Sequence, residues 1–266
     1  MSFSSQKIAS AYFGNGRSML LAPHPENEIH QHRLIQLTFS INPFKVKIMD
    51  EEWSQTRCVV IGTNVPHQVH AITGYQISQH IMPDNIRGKN LRHLLNGKNA
   101  IYPENINTEE YYNKFIMCVN ENYDCRKAFK IFDETIDHLT SSEGFEGAID
   151  ERLYKAMDII SNKISSSISA TELAESVHLS EGRFMHLFTE QLGIPLRHYI
   201  LFQRIALACK IFMEGESLTQ AAITAGFSDS AHFTRTFTGM YGIKPSTYAK
   251  LKHLFNVHYC LHSNLA

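Results

Sequence analysis

No two of the five cysteines, Cys58, Cys118, Cys125, Cys209 and Cys260, stand in a C-x-x-C pair. An odd number without that spacing argues against a zinc ribbon or a disulfide frame, so reduced intracellular thiols are expected. Long hydrophobic runs are also missing: none approaches the roughly 18 residues of a membrane span. Met1–Lys7 lacks the basic-then-apolar order of a secretory signal, so a cytoplasmic chain with no membrane partner is expected. Charge of one sign is lacking as well, with 25 Lys/Arg against 26 Asp/Glu and a formal net charge of −1. Any basic surface must therefore be local. Nothing resembles a Gly-rich phosphate loop or a nucleophile elbow, and no catalytic residue is nominated. What is present is ample apolar material: 43% hydrophobic and 19% charged residues in 266. That composition excludes long disorder, and the length suggests two domains.

The two halves differ in periodicity. Leu34–Phe39, Phe44–Ile48, Cys58–Ile61 and Tyr75–Ile81 are short runs rich in β-branched and aromatic residues, separated by turn-formers such as Asn42-Pro43 and Gly62-Thr-Asn64. They read as strands of a small antiparallel barrel or sandwich. Helical spacing takes over near Glu109, where Tyr112, Ile116, Val119 and Tyr123, then Ala128, Ile131, Phe132, Ile136 and Leu139, recur at three and four. These helices are expected to pack on the barrel or to serve a homodimer contact. A small, polar, glycine-containing stretch follows. The partition is thus a first domain over 1–140, a linker over 141–149 and an all-α domain over 150–266. The fold class is α+β.

The second half contains an internal repeat. Phe184-Met-His-Leu-Phe-Thr-Glu-Gln-Leu-Gly-Ile194 matches Phe233-Thr-Arg-Thr-Phe-Thr-Gly-Met-Tyr-Gly-Ile243 at Phe, Phe, Thr, Gly and Ile, 49 residues apart. Upstream of each lies a helix start with capping-box spacing, Ser169-Ala-Thr-Glu172 and Ser217-Leu-Thr-Gln220. Ala174 and Ala222 follow, then the tight turns Val177–Ser180 and Ala225–Asp229, where Gly226 suits a left-handed position. Short helix, tight turn and longer helix is the helix-turn-helix plan. One copy barely exceeds an ordinary helical hairpin; two copies with matched caps, turns and Phe-x-x-x-Phe are specific.

On the second helix of each copy, one face carries Phe184, Leu187, Phe188 and Gln191, or Phe233, Thr236, Phe237 and Met240. Opposite lie Gly182, Met185 and His186, or Ala231, Thr234 and Arg235, small or polar faces able to enter a major groove. Pro195 to Glu214 reads as a connecting helix of about 30 Å, close to one turn of B-DNA at about 34 Å. From Arg183 to Lys252 there are eight Lys/Arg and four Asp/Glu, whereas Asp150 to Glu181 has three and six, so basicity is confined to the proposed reading part.

Residues 150–252 resemble the DNA-binding domain of the AraC/XylS family of bacterial transcription regulators. The resemblance rests on Ala222–Ser246 with Tyr248, and on Tyr199, Arg204 and Ala208 in the connecting helix. It implies two helix-turn-helix units, with base contacts at Gly182, Met185, His186, Ala231, Thr234 and Arg235. Double-stranded DNA is the implied partner, with RNA polymerase in addition for an activator. Gly182 departs from many members and makes no side-chain contact, so the first unit is expected to read weakly or by shape. The tail after Lys252 has no assigned role.

The first half resembles the cupin-like sensor domains of the same family, through His30-Gln-His32 before a strand and Gly62–His67 between strands. The resemblance implies a small-molecule effector pocket among His30, His32, Gln36 and His67. In metal cupins a carboxylate joins such histidines, but position 36 is Gln, so no cofactor is expected and His30, His32 and His67 remain weak metal candidates. A cupin-type metalloenzyme with a helical accessory domain is the alternative. A protein-docking helical half is a third reading. A non-enzymatic regulator is favoured.

Overall fold

The computed structural model describes residues 9–14, 16–23, 28–70, 73–104, 106–141, 150–248 and 255–260. An N-terminal sheet with helices on one face is followed by a helical half, the α+β organisation expected. Strands β1 (Ala9–Gly14) and β2 (Arg17–Pro23) form a hairpin, and β2 continues antiparallel onto β6 (Tyr75–Ile81). β6 pairs with β3 (Ile35–Ile48), β3 with β4 (Ser54–Ile61), and β4 with the two-residue β7 (Ala100–Ile101). The short β5 (His67–His70) pairs with the far half of β3.

The sequence breaks β3 at Asn42-Pro43, yet the strand runs through. Its register to β4 slips between Phe39 and Phe44. Proline has no N–H for a ladder, and such a slip bends the strand instead of ending it when the neighbour holds both sides. The bend transfers β3 from β6, paired at 35–39, to β5, paired at 45–48.

The expected small antiparallel barrel is corrected on two counts: it is not closed and not wholly antiparallel. The strand path β7-β4-β3-β6-β2-β1-β8 has two ends. Its last member, β8 (Phe255–Tyr259), lies parallel to β1, from Ala9 opposite Phe255 to Phe13 opposite Tyr259. β8 covers the β1 edge that a closed barrel would give to another strand of the first half, and an edge covered in this way no longer offers open backbone groups. The tail to which no role was assigned is thus a strand of the first half's sheet. Cys260, just past it, donates its N–H to the Phe13 carbonyl at 2.8 Å. It is disulfide-bonded to Cys125 across 135 residues. This corrects the expectation of five reduced thiols; Cys58, Cys118 and Cys209 are free and buried.

Alternation along β3 separates two environments. Ile35, Leu37 and Phe39 join the apolar core under α2 (Thr108–Asn120) and α3 (Cys125–Thr140), while Gln36, Thr38 and Ser40 are buried on the other face. The α3 stripe is as expected, with Ala128, Ile131, Phe132, Ile136 and Leu139 buried. In α2 the buried face is Tyr111, Phe115, Cys118 and Val119, with Tyr112 and Ile116 half-buried: Phe115 is the ring that meets Phe39, 5.7 Å away, and this turns the helix by about one residue from the expected face. Both apolar faces are spent on the sheet. Helix α1 (Ile86–Leu95), unread in the sequence, is held by Arg87, whose guanidinium donates to both Asp137 oxygens at 2.9 and 2.7 Å.

The linker expected over 141–149 lies outside the described residues, apart from Ser141, which caps α3. Among the described residues six α-helices then follow: α4 (Glu151–Asn162), α5 (Ala170–Ser176), α6 (Glu181–Leu192), α7 (Leu196–Met213), α8 (Leu218–Thr224) and α9 (Ser230–Tyr241). No helix among the described residues is long and apolar enough to cross a membrane.

Candidate nucleic-acid interface and interior cavity

The repeat becomes two helix pairs, α5 with α6 and α8 with α9. Ser169 Oγ accepts from the Glu172 amide at 3.5 Å, and Ser217 Oγ from the Gln220 amide at 3.1 Å. The return arms of the two capping boxes are engaged elsewhere: Gln220 donates to Thr224 Oγ1 at 3.1 Å, and Glu172 lies 3.9 Å from Lys163 Nζ. Each first helix ends at a left-handed residue, Gly226 at φ +87° and His178 at φ +58°. The next amide closes each turn, Leu179 onto the Ala174 carbonyl at 2.9 Å and Phe227 onto Ala222 at 3.0 Å. The copies are 48 residues apart up to this point and 49 afterwards. The extra residue moves the second cap from Ser180 in α6 to Asp229 in α9, whose Oδ1 accepts the His232 amide at 2.6 Å. That bond holds the Asp229 carboxyl below its ordinary range, so an anion sits at the helix start.

Phe184, Phe188 and Phe233 are fully buried and Phe237 nearly so, packed with Ala174, Ala222 and the Tyr199 and Ile205 side of α7. The outward residues fall as follows. Gly182, His186, Ala231 and Arg235 are exposed, and Met185 and Thr234 are half-buried. His186 Nδ1 lies 3.6 Å from Glu190 Oε2, one turn along the same exposed face. The α7 helix of 18 residues spans about 27 Å. Arg204, counted above among the basic residues, points inward: it donates to the Ile164 and Ser166 carbonyls at 2.9 and 2.6 Å and ties α7 to the segment before α5.

The two halves meet at the C-terminal ends of α6 and α9. Each ends at a left-handed glycine, Gly193 at φ +66° and Gly242 at φ +75°. A Cβ at Gly193 would collide with the Asp84 and Asn85 backbone, and one at Gly242 with the His30 ring. Phe13 of β1 stands edge-on to Tyr241 at 6.2 Å, as does His80 of β6 at 5.6 Å. Between β1, β2, β6, β8 and the ends of α7 and α9 lies a cavity of about 460 Å³. Phe13, Met19, Phe212, Phe237 and Val257 give it an apolar wall, with Lys244 and His80 among its polar members. Ser18 and Thr238 also line it, and their buried hydroxyls have no hydrogen-bond partner among the described residues.

Of the four residues expected to line a pocket, His30 and Gln36 do so. His32 and His67 are buried behind them, at 2% and 1% exposure. The four are nonetheless neighbours. His30 and His67 exchange backbone hydrogen bonds of 3.0 and 2.8 Å, and Gln36 Oε1 lies 2.8 Å from His32 Nε2 and 3.2 Å from His67 Nε2. Burial lowers the pKa of all three histidines, His67 to about 3. The sequence reading missed His178, because a non-glycine in a left-handed turn carries no sequence signal. It also missed the aromatic wall of the cavity, which becomes one surface only when the halves dock.

Residues 173–251 match the family model described as a helix-turn-helix domain. The chain is 33% identical over 98 residues to the transcriptional activator RhrA of Rhizobium meliloti (strain 1021), covering 36% of this chain and 31% of that protein. It is 25% identical over 145 residues to the Msm operon regulatory protein of Streptococcus mutans serotype c, covering 53% and 52%. The matches thus span about half or less of these relatives. In fold it is similar to ToxT from Vibrio cholerae O395, solved bound to (E)-4-(8-methylnaphthalen-1-yl)but-3-enoic acid, with TM-score 0.51, 12% identity, and 89% of this chain and 99% of that one covered.

Proposed function

We propose that this chain, whose helical half is an AraC-type helix-turn-helix domain, is a sequence-specific DNA-binding transcription regulator with an effector-sensing first half. The observation that carries the reading is the duplicated helix pair, with both aromatic faces buried and both outward faces open to solvent. The pairs act as two helix-turn-helix units, and the connecting helix of about 27 Å sets them to read adjacent major grooves. Gly182, Met185 and His186 make the first base-reading face and Ala231, Thr234 and Arg235 the second. Arg235 suits a forked contact to guanine O6 and N7, and Met185 suits a thymine methyl. With basicity confined to the reading part, phosphate affinity is moderate.

The first half is taken as an open, cupin-like variant, spanning 1–140 together with β8, and it works in the cytoplasm. Its effector is a small molecule in the interdomain cavity, whose volume lies in the range of ligand pockets, roughly 300–1,000 Å³. The apolar wall, two unpaired hydroxyls and Lys244 suit a ligand with an apolar body and a polar or anionic end. ToxT was crystallised with such an acid. An activator output adds RNA polymerase as a partner, and a second copy of the chain is a further candidate. The regulator relatives support this reading over a cupin-type metalloenzyme.

The test is a selection of binding sites from random duplexes by the full chain. The isolated second half is unsuitable, because it would strip β8 from β1. Two unlike elements in the same orientation, about one helical turn apart, are expected. No enriched motif, or a single palindrome per monomer, overturns the reading.

A further inference from the structure

Strand β8 is held by a covalent bond and by weaker contacts that carry their own costs. It lies parallel to β1 at the end of the strand path, from Ala9 opposite Phe255 to Phe13 opposite Tyr259. A parallel pair is slightly less stable per residue than an antiparallel one. Beside it stands α7, whose Met213 packs with Val257 on the patch of Ala9, Ala11, Ala22 and Phe255. The His258 ring stacks on Tyr12, centroids 4.2 Å apart. Two costs oppose these contacts. His258 Nε2 and the Tyr259 hydroxyl are buried with no hydrogen-bond partner among the described residues, and release of the strand returns both to water. The covalent hold is the bond from Cys260 to Cys125, the first residue of α3. It keeps the strand at high effective concentration next to β1.

We propose that Cys125–Cys260 is a redox clasp, opened by a dithiol reductant, and that its opening releases β8 from β1 and α7. Access decides which sulfur is attacked. Cys260 is fully buried, whereas Cys125 keeps 7% exposure and lines a surface cleft with Asp124, Arg126, Lys210 and Tyr259. Two cations against one carboxylate favour an incoming thiolate there. That thiolate bonds to Cys125 Sγ, the bond to Cys260 breaks, and Cys260 leaves as a thiolate that takes up a proton. The second thiolate of the reductant then attacks its own sulfur in the mixed disulfide, and Cys125 leaves in the same way. Two electrons and two protons pass to the protein and the dithiol ends as a disulfide; a disulfide oxidant reverses the sequence. In a reducing cytoplasm, disulfides are as a rule transient and redox-sensing. Phe255 and Val257 are also wall residues of the interdomain cavity, so release of β8 opens that wall. The geometry carries the inference whatever the cavity binds and whether or not the chain reads DNA.

The test uses the full chain, equilibrated with oxidised glutathione or with dithiothreitol. Alkylation in denaturant should find only the thiols of Cys58, Cys118 and Cys209 in the first case and all five in the second. Hydrogen exchange of the folded chain, read by mass spectrometry, should then separate the two states. The amides of β8, and those of β1 that face it, should exchange at least about tenfold faster after reduction, while those of β6 stay as they were. Cys260→Ser and Cys125→Ser should exchange like the reduced chain even in oxidised glutathione. The wild-type comparison decides the matter if either variant fails to fold. Five thiols in both conditions, or a bond that dithiothreitol leaves intact in the folded chain, overturns the proposal. So does a reduced chain in which β8 stays as protected as before, or one in which β6 is exposed along with it.

Discussion

The two helix pairs agree closely in internal packing. Phe184 and Phe188 in α6 stand 5.7 Å apart at 57°, and Phe233 and Phe237 in α9 stand 5.8 Å apart at 56°. Each pair has a serine-capped first helix, a left-handed turn and a left-handed terminal glycine. They differ in four places: the outward face, the residue at the turn, the cap of the second helix, Ser180 against Asp229, and what the terminal glycine meets. Gly193 abuts backbone at Asp84 and Asn85, whereas Gly242 abuts a histidine of the buried cluster. A duplicated scaffold has been kept where packing dictates it and has diverged where a partner or a neighbouring domain is touched. The second unit is the one whose end lies beside the cavity and the histidines.

The largest effects should come from the shared aromatic positions. Phe184→Ala and Phe233→Ala each remove a fully buried ring, and the expected losses are about 3–5 kcal/mol in denaturant unfolding. Phe233 also lines the cavity, so solvent can enter the hole it leaves, and its loss should fall at the lower end. Equal losses would argue that the cavity wall does not soften the second copy; a loss below about 1 kcal/mol at either position would break the shared-scaffold comparison.

Gly226→Ala should come next. The residue has φ +87°, and a Cβ would lie 2.8 Å from the Ile164 carbonyl oxygen, in a segment that Arg204 holds in place. The left-handed conformation costs an alanine about 1–2 kcal/mol, and the contact with fixed backbone adds to this. A loss of at least about 2 kcal/mol by thermal unfolding is expected. A neutral result would mean that the turn can relax.

The sequence was most legible where one signal was repeated. Caps at Ser169, Ser180, Ser217 and Asp229 and the aromatic spacing of α6 and α9 are local, and two copies make them mutually supporting. The same holds for α3, whose stripe matches its buried face. β3 was misread because Pro43 is a strong local breaker, and the pairing with β4 that carries the strand through it is nonlocal. β8 and the Cys125–Cys260 bond were illegible for the same reason: the partners lie more than 130 residues apart and the tail has no repeat. In the candidate site, His30, His32, Gln36 and His67 are neighbours in space, and their separation into cavity-lining and buried members, which depends on how β3 bends, has no local signal.

Arg235→Ala should reduce affinity for the selected DNA by about 1–3 kcal/mol and relax discrimination at one base position, because a forked guanine contact is lost. Met185→Ala should cost less, since it removes only apolar contact. Titration of both variants against matched and mismatched duplexes at several salt concentrations measures this. An Arg235→Ala chain with unchanged base preference, weakened on all sequences alike, would show Arg235 to be a phosphate contact and would place the two reading faces closer in kind than proposed.

The smallest effect should have the opposite sign. His178 occupies in the first copy the place that Gly226 takes in the second, at φ +58°, and its side chain is exposed. A non-glycine residue there bears left-handed strain of about 1–2 kcal/mol, which glycine removes. Glycine in turn gives the unfolded chain more freedom, worth about 0.4–1 kcal/mol against folding. The balance favours the substitution by about 0–1.6 kcal/mol, so His178→Gly should raise the unfolding midpoint slightly while Gly226→Ala lowers it sharply. A fall in the midpoint for His178→Gly would mean that the imidazole makes a contact worth more than the strain it bears, and that the first turn is held by its side chain where the second is held by its backbone.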